Sequence, residues 1–261
     1  MSQKQPLRSS HLLAVSRLSG ILIVTFWYLL IHSWKVRGLT GGARWRFSAH
    51  YFHSWAEAVR YQLRLEVDVR GEAPEGGVLL VPNHQSYLDI ILLASVLPVF
   101  FVAKAEIGTW PLVGFLLRRA DQLLIERRRT KVMMATLAAV GQRIRAGYPV
   151  CAFLEGTTTD GRRVGRFHSS LLQPAVDSKL EIVPVGIRWS GREPGLRISE
   201  DVAYWGDHSL LSHAWRLLGL RGVSATVTFG NSVQAEGNRR ELASRLREKV
   251  VGMWKVSGDS E

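Results

Sequence analysis

From residue 63 onward the chain alternates short apolar runs with helical stretches, and this alternation limits its possible folds more than any other feature. Short apolar runs bounded by turn residues predict buried strands. Strands that alternate with helices indicate an α/β fold with a largely parallel central sheet flanked by helices. The predicted strands are 63–69, 78–81, 99–103, 122–125, 149–154, 182–189 and 224–229, and the predicted helices are 87–96, 111–119, 130–146, 169–176 and 239–254.

The turn after the strand 78–81 carries a histidine and an aspartate at a suggestive spacing. His84 lies in the turn, and Asp89 lies five residues later in the first turn of the next helix, for which Ser86 is the predicted N-cap. This geometry brings a carboxylate onto an imidazole ring, which leaves the second ring nitrogen free to accept a proton. The simpler alternative is a helix cap beside a turn histidine. His84 and Asp89 are the candidate catalytic residues.

Polar residues also follow three other predicted strands. Lys104 follows the strand 99–103, Arg127 closely follows the strand 122–125, and Glu155, Gly156 and Thr157 close the strand 149–154. Ligands of parallel sheets gather at the carboxyl ends of strands, where loops converge. A guanidinium suits bidentate anion binding, and a glycine lets the backbone approach a ligand. Taken singly, each of these sites is equally compatible with a solvated turn.

The N-terminal part contains a long apolar segment. Residues 18–34 carry no formal charge, and as a helix they would span about 25 Å, close to the thickness of a bilayer's hydrocarbon core. Trp27, Tyr28 and Trp34 lie toward one end, as interfacial anchors do. Basic residues follow the segment instead of a small-residue cleavage site, which favours a membrane anchor over a signal peptide. A buried core helix is the alternative.

A second helix is predicted from about residue 43 to residue 63. It mixes aromatic residues with cations, which is typical of an amphipathic helix in the membrane interface. An ordinary helix packed on the rest of the protein is the alternative. Basic residues flank the segment 18–34 on both sides, so they set no orientation, and a helix that dips into one leaflet and returns fits this pattern. We therefore expect membrane-anchoring helices in 1–62 and a catalytic domain in 63–261.

The composition restricts the partners. A net charge of +12 and a pI near 10.4 call for an anionic partner, such as nucleic acid, an anionic membrane or an acidic ligand. No nucleic-acid-binding motif is present and the cations are dispersed, so no nucleic acid is expected. The single cysteine, Cys151, cannot form an intrachain disulfide. The histidines other than His84 lack ligand spacing, so we predict no metal site.

Four blocks in order resemble the glycerolipid acyltransferase family, typified by bacterial 1-acylglycerol-3-phosphate acyltransferase. The blocks are 83–89 (Asn-His-x4-Asp), 123–127 (a strand ending in Arg), 153–157 (Phe-Leu-Glu-Gly-Thr) and 182–185 (around Val-Pro). The proline of the last block favours an edge or a rim of the sheet. The resemblance covers about residues 75 to 190 and implies an acyltransferase with a membrane-associated N-terminal part.

The resemblance also implies roles for the residues of the blocks. His84 is the general base, Asp89 orients it, and Arg127, Glu155, Gly156 and Thr157 correspond to acceptor-binding positions, with Lys104 as a further candidate. The base takes the proton from the hydroxyl of a lysolipid, which then attacks the thioester of the acyl donor. Backbone N–H groups near the turn would supply the oxyanion donors. No cofactor is expected beyond acyl-CoA or acyl-ACP (acyl carrier protein) as co-substrate.

Departures from the family pattern bear on the acceptor, for which we expect 1-acyl-sn-glycerol-3-phosphate. Ala120 and Asp121 stand where a glycine is usual, and Leu154 stands where the family usually has a proline. Thr158 follows Thr157 where the family has a cation that helps to hold phosphate. Arg162, Arg163 or Arg166 would have to compensate for it. The run Glu-Gly-Thr-Thr-x-Asp-Gly also resembles the lyso-ornithine lipid acyltransferase branch, whose acceptor has no phosphate.

These features leave three classes of function. The first is a lysolipid acyltransferase at the inner membrane, with its catalytic domain on the cytoplasmic face. The second is a basic module that binds membranes or nucleic acid without catalysis. The third is hydrolysis, in which water replaces the lipid hydroxyl.

Overall fold

The structure is a computed structural model that describes residues 9–110, 113–126 and 130–256. Its helices are α1 (His11–Lys35), α2 (Gly41–Leu63), α3 (Leu88–Val96), α4 (Val113–Arg119), α5 (Thr130–Arg145), α6 (Gln173–Asp177), α7 (Leu210–Leu218) and α8 (Arg239–Val256). Its strands are β1 (Leu65–Arg70), β2 (Leu79–Pro82), β3 (Phe100–Lys104), β4 (Leu123–Ile125), β5 (Val150–Cys151), β6 (Glu181–Gly191), β7 (Val223–Phe229) and β8 (Val233–Gln234). The predicted elements are therefore present, with shifted ends.

The strands form one sheet in the order β1-β7-β6-β2-β5-β3-β4, and β8 pairs with β6. Strand β2 runs parallel to β5 and β6, β3 runs parallel to β5 and β4, and β1 runs parallel to β7. The antiparallel pairs are β6 with β7 and β6 with β8. The carboxyl ends of β2, β5, β3 and β4 consequently meet at one edge. The predicted class, a largely parallel sheet flanked by helices, is confirmed.

Alternate residues of the strands point into two separate cores. On one face, Leu80 and Phe101 pack with side chains from α2, α3 and α7. On the other face, Leu79 and Phe100 pack with side chains from α5, α6 and α8. Because both faces of the sheet are covered, the central strands are apolar throughout rather than alternating.

Strand β6 corrects the expectation that Pro184 lies at an edge or a rim. It lies within the sheet, opposite Val81 of β2. On its other side, the pairing of β6 with β8 stops at Ile182 and the pairing with β7 begins at Val185. Across this gap the carbonyl of Pro184 accepts the N–H of Gly230. Because neither β7 nor β8 pairs with Pro184, the sheet needs no backbone N–H from this residue, and a proline is tolerated.

Helix α1 has two different faces. One face packs on α2 and α7, and the buried guanidinium of Arg17 donates to the carbonyls of Leu218 and Leu220. The other face exposes large apolar side chains, which are Leu12, Val15, Leu18, Leu22, Ile23, Phe26, Trp27, Leu30 and Trp34. By length and composition α1 could cross a membrane. An exposed apolar face of this extent is typical of a surface that meets a membrane or a partner.

Helix α2 is integrated into the α/β domain. Its side chains Phe52, Ala56, Val59 and Leu63 are buried in the core beneath α3, and the ring of Phe52 meets that of Phe101 edge-on. This is the packing of an ordinary domain helix, which was the alternative to an interfacial one. The predicted boundary between anchoring helices and catalytic domain at residues 62 and 63 stays a prediction.

Asp121, which stands where the family resemblance expects a glycine, adopts a left-handed backbone with φ of 55°. Its carboxylate accepts three hydrogen bonds from Arg44 at 2.8–3.1 Å and one from the Ser48 hydroxyl at 2.6 Å. Glycine adopts this conformation without a steric penalty, and aspartate is among the residues that tolerate it. The aspartate thus allows the left-handed turn before β4, and its hydrogen bonds with Arg44 and Ser48 hold that turn against α2.

We predict that Asp121→Gly destabilises the protein less than Asp121→Ala, by about 1 kcal/mol, although both lose the Arg44 pair. The reason is that alanine retains the steric penalty of the left-handed backbone without the compensating ion pair. Chemical unfolding of both variants in the same detergent measures the difference. Equal stabilities of the two variants would mean that the left-handed backbone conformation imposes no steric penalty on alanine at this position.

Candidate active site

The structure brings His84 and Asp89 together. The Nδ1 atom of His84 lies 2.8 Å from Oδ2 of Asp89, whose side chain is fully buried, while 16% of the histidine side chain is exposed. Because a carboxylate only accepts, Nδ1 carries a proton, and in the neutral ring Nε2 then presents its lone pair. Among the described residues, none hydrogen-bonds this Nε2 atom. The pair therefore has the geometry of an oriented general base.

Three further donors hold the Asp89 carboxylate. The backbone N–H groups of Gln85 and Ser86 donate to Oδ2 at 2.7 and 2.9 Å, and the indole N–H of Trp189 donates to Oδ1 at 2.8 Å. The bond from Ser86 resembles the backward half of a capping box, but the predicted N-cap at Ser86 is wrong by one residue: α3 begins at Leu88, and its N-cap is Tyr87, which makes no side-chain cap bond. The carboxylate therefore has one orientation, which it imposes on the imidazole.

Buried amide side chains fix the turn to the sheet. Asn83 exchanges two hydrogen bonds with the backbone of Ile187 in β6, at 2.7 and 2.9 Å, and the Gln85 side chain donates to the same carbonyl at 3.0 Å. Both side chains are almost fully buried. On the opposite side, the imidazole stacks on the ring of Phe153 with 3.8 Å between centroids. The catalytic turn is thus held from β6 and from the segment after β5.

Glu155 lies beneath the same turn, not at the surface. Its Oε1 accepts the backbone N–H of His84 and its Oε2 accepts that of Gly165, both at 2.7 Å. The residue is 4% exposed, and burial raises its pKa from 4.5 to about 7; the two backbone bonds act in the opposite direction. Both carboxylate oxygens are engaged within the protein. The geometry gives Glu155 a positioning contact, and its predicted role in acceptor binding stays a prediction.

Of the remaining predicted residues, Gly156, Thr157 and Lys104 lie at the same edge of the sheet as His84. Gly156 has a positive φ of 70°, which explains its residue type, and Thr157 is exposed. Lys104 is exposed at the end of β3, which lies two strands from β2, or about 10 Å. Arg127 lies outside the described residues, so its predicted contact with an anion stays a prediction.

A cleft of about 660 Å³ opens beside the turn. Its residues come from the loop 157–166 and from two later segments, and they are Thr157, Thr158, Thr159, Asp160, Arg163, Val164, Gly165, Arg166, Trp205 and Arg247. The amides of His84, Gln85 and Ser86 are already bonded to Glu155 and Asp89. These three amides are therefore not free to bind an oxyanion, and the expectation that backbone N–H groups near the turn supply its donors stays a prediction.

Three residues of the site escape sequence reasoning. Trp189 binds Asp89 from 100 positions away, and Arg247 of α8 donates to the carbonyls of Gly165 and Val164 at 2.6 and 2.8 Å. Gly165 has no side chain because a Cβ atom there would lie 2.5 Å from Oε2 of Glu155. The sequence carries no local signal for these long-range contacts.

A fixed His–Asp pair at the carboxyl edge of a mostly parallel sheet has the geometry of a general base, and the comparisons with known proteins supply the class of reaction. A family model described as Acyltransferase matches residues 64–188. The lyso-ornithine lipid O-acyltransferase of Pseudomonas aeruginosa is 35% identical over 200 residues, which is 75% of each chain. The chain therefore belongs to the acyltransferase family, and it is an acyltransferase.

Two further similarities extend over more of the chain. The 1-acyl-sn-glycerol-3-phosphate acyltransferase of Neisseria gonorrhoeae is 27% identical over 240 residues, or 90% of this chain and 92% of that protein. The crystal structure of the 1-acyl-sn-glycerophosphate (LPA) acyltransferase PlsC from Thermotoga maritima superposes with a TM-score of 0.64 at 18% identity, over 93% of this chain and 98% of that one. That likeness supports the fold.

We predict that Glu155 makes stability fall as the pH rises from about 4.5 to about 7. The unfolded chain releases the Glu155 proton near pH 4.5, whereas the folded protein keeps it until about pH 7. This stabilisation is present in full below about pH 4.5, is lost as the pH rises through about 7, and amounts to about 3 kcal/mol. Unfolding of the wild type and of Glu155→Gln across this range measures the difference. A difference that does not vary with pH would contradict the raised pKa.

We also predict that Gly165→Ala lowers kcat/KM by at least about tenfold and costs about 1–3 kcal/mol of stability. The new methyl group displaces the Glu155 carboxylate from the N–H of His84. The matched control is Gly252→Ala in α8, where a Cβ atom meets nothing within 4 Å. We expect the control to keep full activity and to gain about 0.5–1 kcal/mol. Equal behaviour of the two variants would exclude a positioning role for Glu155.

Proposed function

We propose that the protein is a lysolipid O-acyltransferase that uses no covalent acyl-enzyme. The observation that carries the proposal is the His84 imidazole, whose Nδ1 is bound to a buried carboxylate at 2.8 Å and whose Nε2 is free among the described residues. The Nε2 atom takes the proton from the acceptor hydroxyl as its oxygen attacks the thioester carbonyl of the donor. The tetrahedral intermediate then expels the thiolate, which receives the proton from the imidazolium.

The favoured acceptor is a lyso-ornithine lipid. Lyso-ornithine lipid O-acyltransferases from four organisms, among them Pseudomonas aeruginosa and Rhizobium meliloti, are 30–35% identical to this chain. Thr158 also replaces the cation that helps the related family members to hold phosphate. The second candidate is 1-acyl-sn-glycerol-3-phosphate, the acceptor expected above, which is supported by the length over which the Neisseria gonorrhoeae enzyme aligns. The donor is an acyl thioester of CoA or of acyl carrier protein, and no cofactor takes part.

The exposed apolar face of α1 supports a location on the membrane. Burial of such side chains in lipid is favourable by about 25 cal/mol per Å² of apolar surface. The opposite face of α1 packs on the protein through Tyr28 and Arg17, so the helix contacts lipid along one side. In this proposal α1 enters a single leaflet of the inner membrane and the sheet edge faces the cytoplasm. Arg127 and Lys104 remain proposed acceptor contacts at that edge.

We predict that His84→Ala lowers kcat by about 10²–10⁴, the range typical of a lost general base, and that Asp89→Asn causes a loss in the same range. The variants are assayed in membranes with labelled acyl donor and each of the two lysolipids. His168→Ala is the matched control, because His168 is exposed and contacts the site through its backbone N–H to Leu154.

Folded His84→Ala protein that keeps wild-type acyl transfer would exclude the mechanism. Release of free fatty acid at the same rate with and without lysolipid would identify the enzyme as a hydrolase instead. Unfolding curves of all variants establish that each is folded before its rate is compared.

A further inference from the structure

His84 does not itself line the cleft beside the catalytic turn, but Thr159, which does, is bonded to the backbone of His84. The carbonyl of His84 accepts both the N–H of Thr159 at 2.9 Å and the hydroxyl of Thr159 at 3.2 Å. Glu155 joins the two segments a second time, since it accepts one N–H from His84 and one from Gly165. A ligand in the cleft consequently lies next to the turn that carries the general base.

Charges of both signs line this cleft, and among the described residues three of these charged groups have no ion-pair partner. Oδ1 of Asp160 accepts the backbone N–H of Arg162 at 3.1 Å, which fixes the carboxylate while Oδ2 stays open. Within the part of the chain that the structure describes, neither that oxygen nor the guanidiniums of Arg163 and Arg166 have a hydrogen bond or an ion pair. Arg247, by contrast, is occupied by two backbone carbonyls.

This pattern suits a ligand with both charges. Ornithine that is linked to a fatty acid through one amine presents the other amine as an ammonium group and a free carboxylate. A phosphate monoester presents two negative charges, which Asp160 would repel. Bidentate binding by guanidinium is available to either anion, so the aspartate is the discriminating element.

We propose that Asp160 binds the ammonium group of a zwitterionic amino-acid head group and that Arg163 and Arg166 bind its carboxylate. The cleft then selects an ornithine-type acceptor over a phosphate-bearing one. This inference rests on the proposed function, because it assigns the acceptor's head group to the cleft next to His84. It makes Asp160 a specificity residue of the reaction.

The test uses charge changes that preserve the loop. Asp160→Asn keeps an oxygen for the Arg162 N–H and removes the charge. Arg163→Ala and Arg166→Ala are compared with Arg162→Ala, which removes the same charge from the same loop outside the cleft lining. Each variant is assayed with lyso-ornithine lipid and with 1-acyl-sn-glycerol-3-phosphate. Binding of the two radiolabelled lysolipids is measured separately in a His84→Ala background, where no turnover interferes.

We expect Asp160→Asn to lower kcat/KM for lyso-ornithine lipid about fivefold, as for the loss of one partly exposed ion pair, without lowering it for the phosphate acceptor. Arg163→Ala and Arg166→Ala lower kcat/KM for lyso-ornithine lipid by a similar factor, and Arg162→Ala does not. An unchanged acceptor ratio in Asp160→Asn, in both rate and binding, overturns the inference.

The binding measurement separates this inference from the proposed function. If the wild type acylates neither lysolipid but Asp160→Asn still shifts the binding preference, the head-group site stands and the proposed reaction fails. If acyl transfer depends on His84 but the binding preference between the two lysolipids is unchanged in Asp160→Asn, the proposed reaction is supported and the proposed head-group site is excluded.

Discussion

The buried carboxylate of Asp89 is the interaction on which the site depends. Four donors from the turn 84–86 and from β6 converge on it, and the imidazole is one of them. A carboxylate removed from water is costly unless its oxygens are bonded, so the surrounding donors are a condition of its burial as well as a means of orienting it. The hydrogen bonds that stabilise the buried Asp89 carboxylate therefore also determine the orientation of the His84 imidazole.

The sheet supplies these donors because of its strand order. Strand β2 lies between β5 and β6, so the turn after β2 meets Ile187 and Trp189 of β6 on one side and Phe153 and Glu155 after β5 on the other. A parallel sheet brings the ends of non-consecutive strands to one edge. Residues that are about 70 to 100 positions apart in the chain thus complete one site.

The sequence predicted the local parts of this arrangement well. Apolar runs identified the strands, and the spacing of His84 and Asp89 predicted their contact, because a strand-to-helix turn determines that geometry by itself. The sequence contained no indication of the roles of Trp189, Gly165 and Arg247, because those roles depend on tertiary contacts. Pro184 was expected at an edge because interrupted pairing beside β6 cannot be read from the chain. Helix α7 was missed although its nine residues have a pronounced amphipathic pattern, because so short a run offers few turns over which to recognise it.

The contacts of Arg17 bear on how the protein would rest on a bilayer in the proposed membrane location. Its guanidinium stays charged at any physiological pH and is bound to carbonyls at the end of α7. Detaching α1 from α7 would leave that cation without its carbonyl partners, which favours a helix that stays packed on the rest of the protein. In the proposed membrane location, this packing would fix the height of the His84 imidazole above the lipid surface. An acceptor whose tails remain in the leaflet can present its hydroxyl at that height without leaving the membrane.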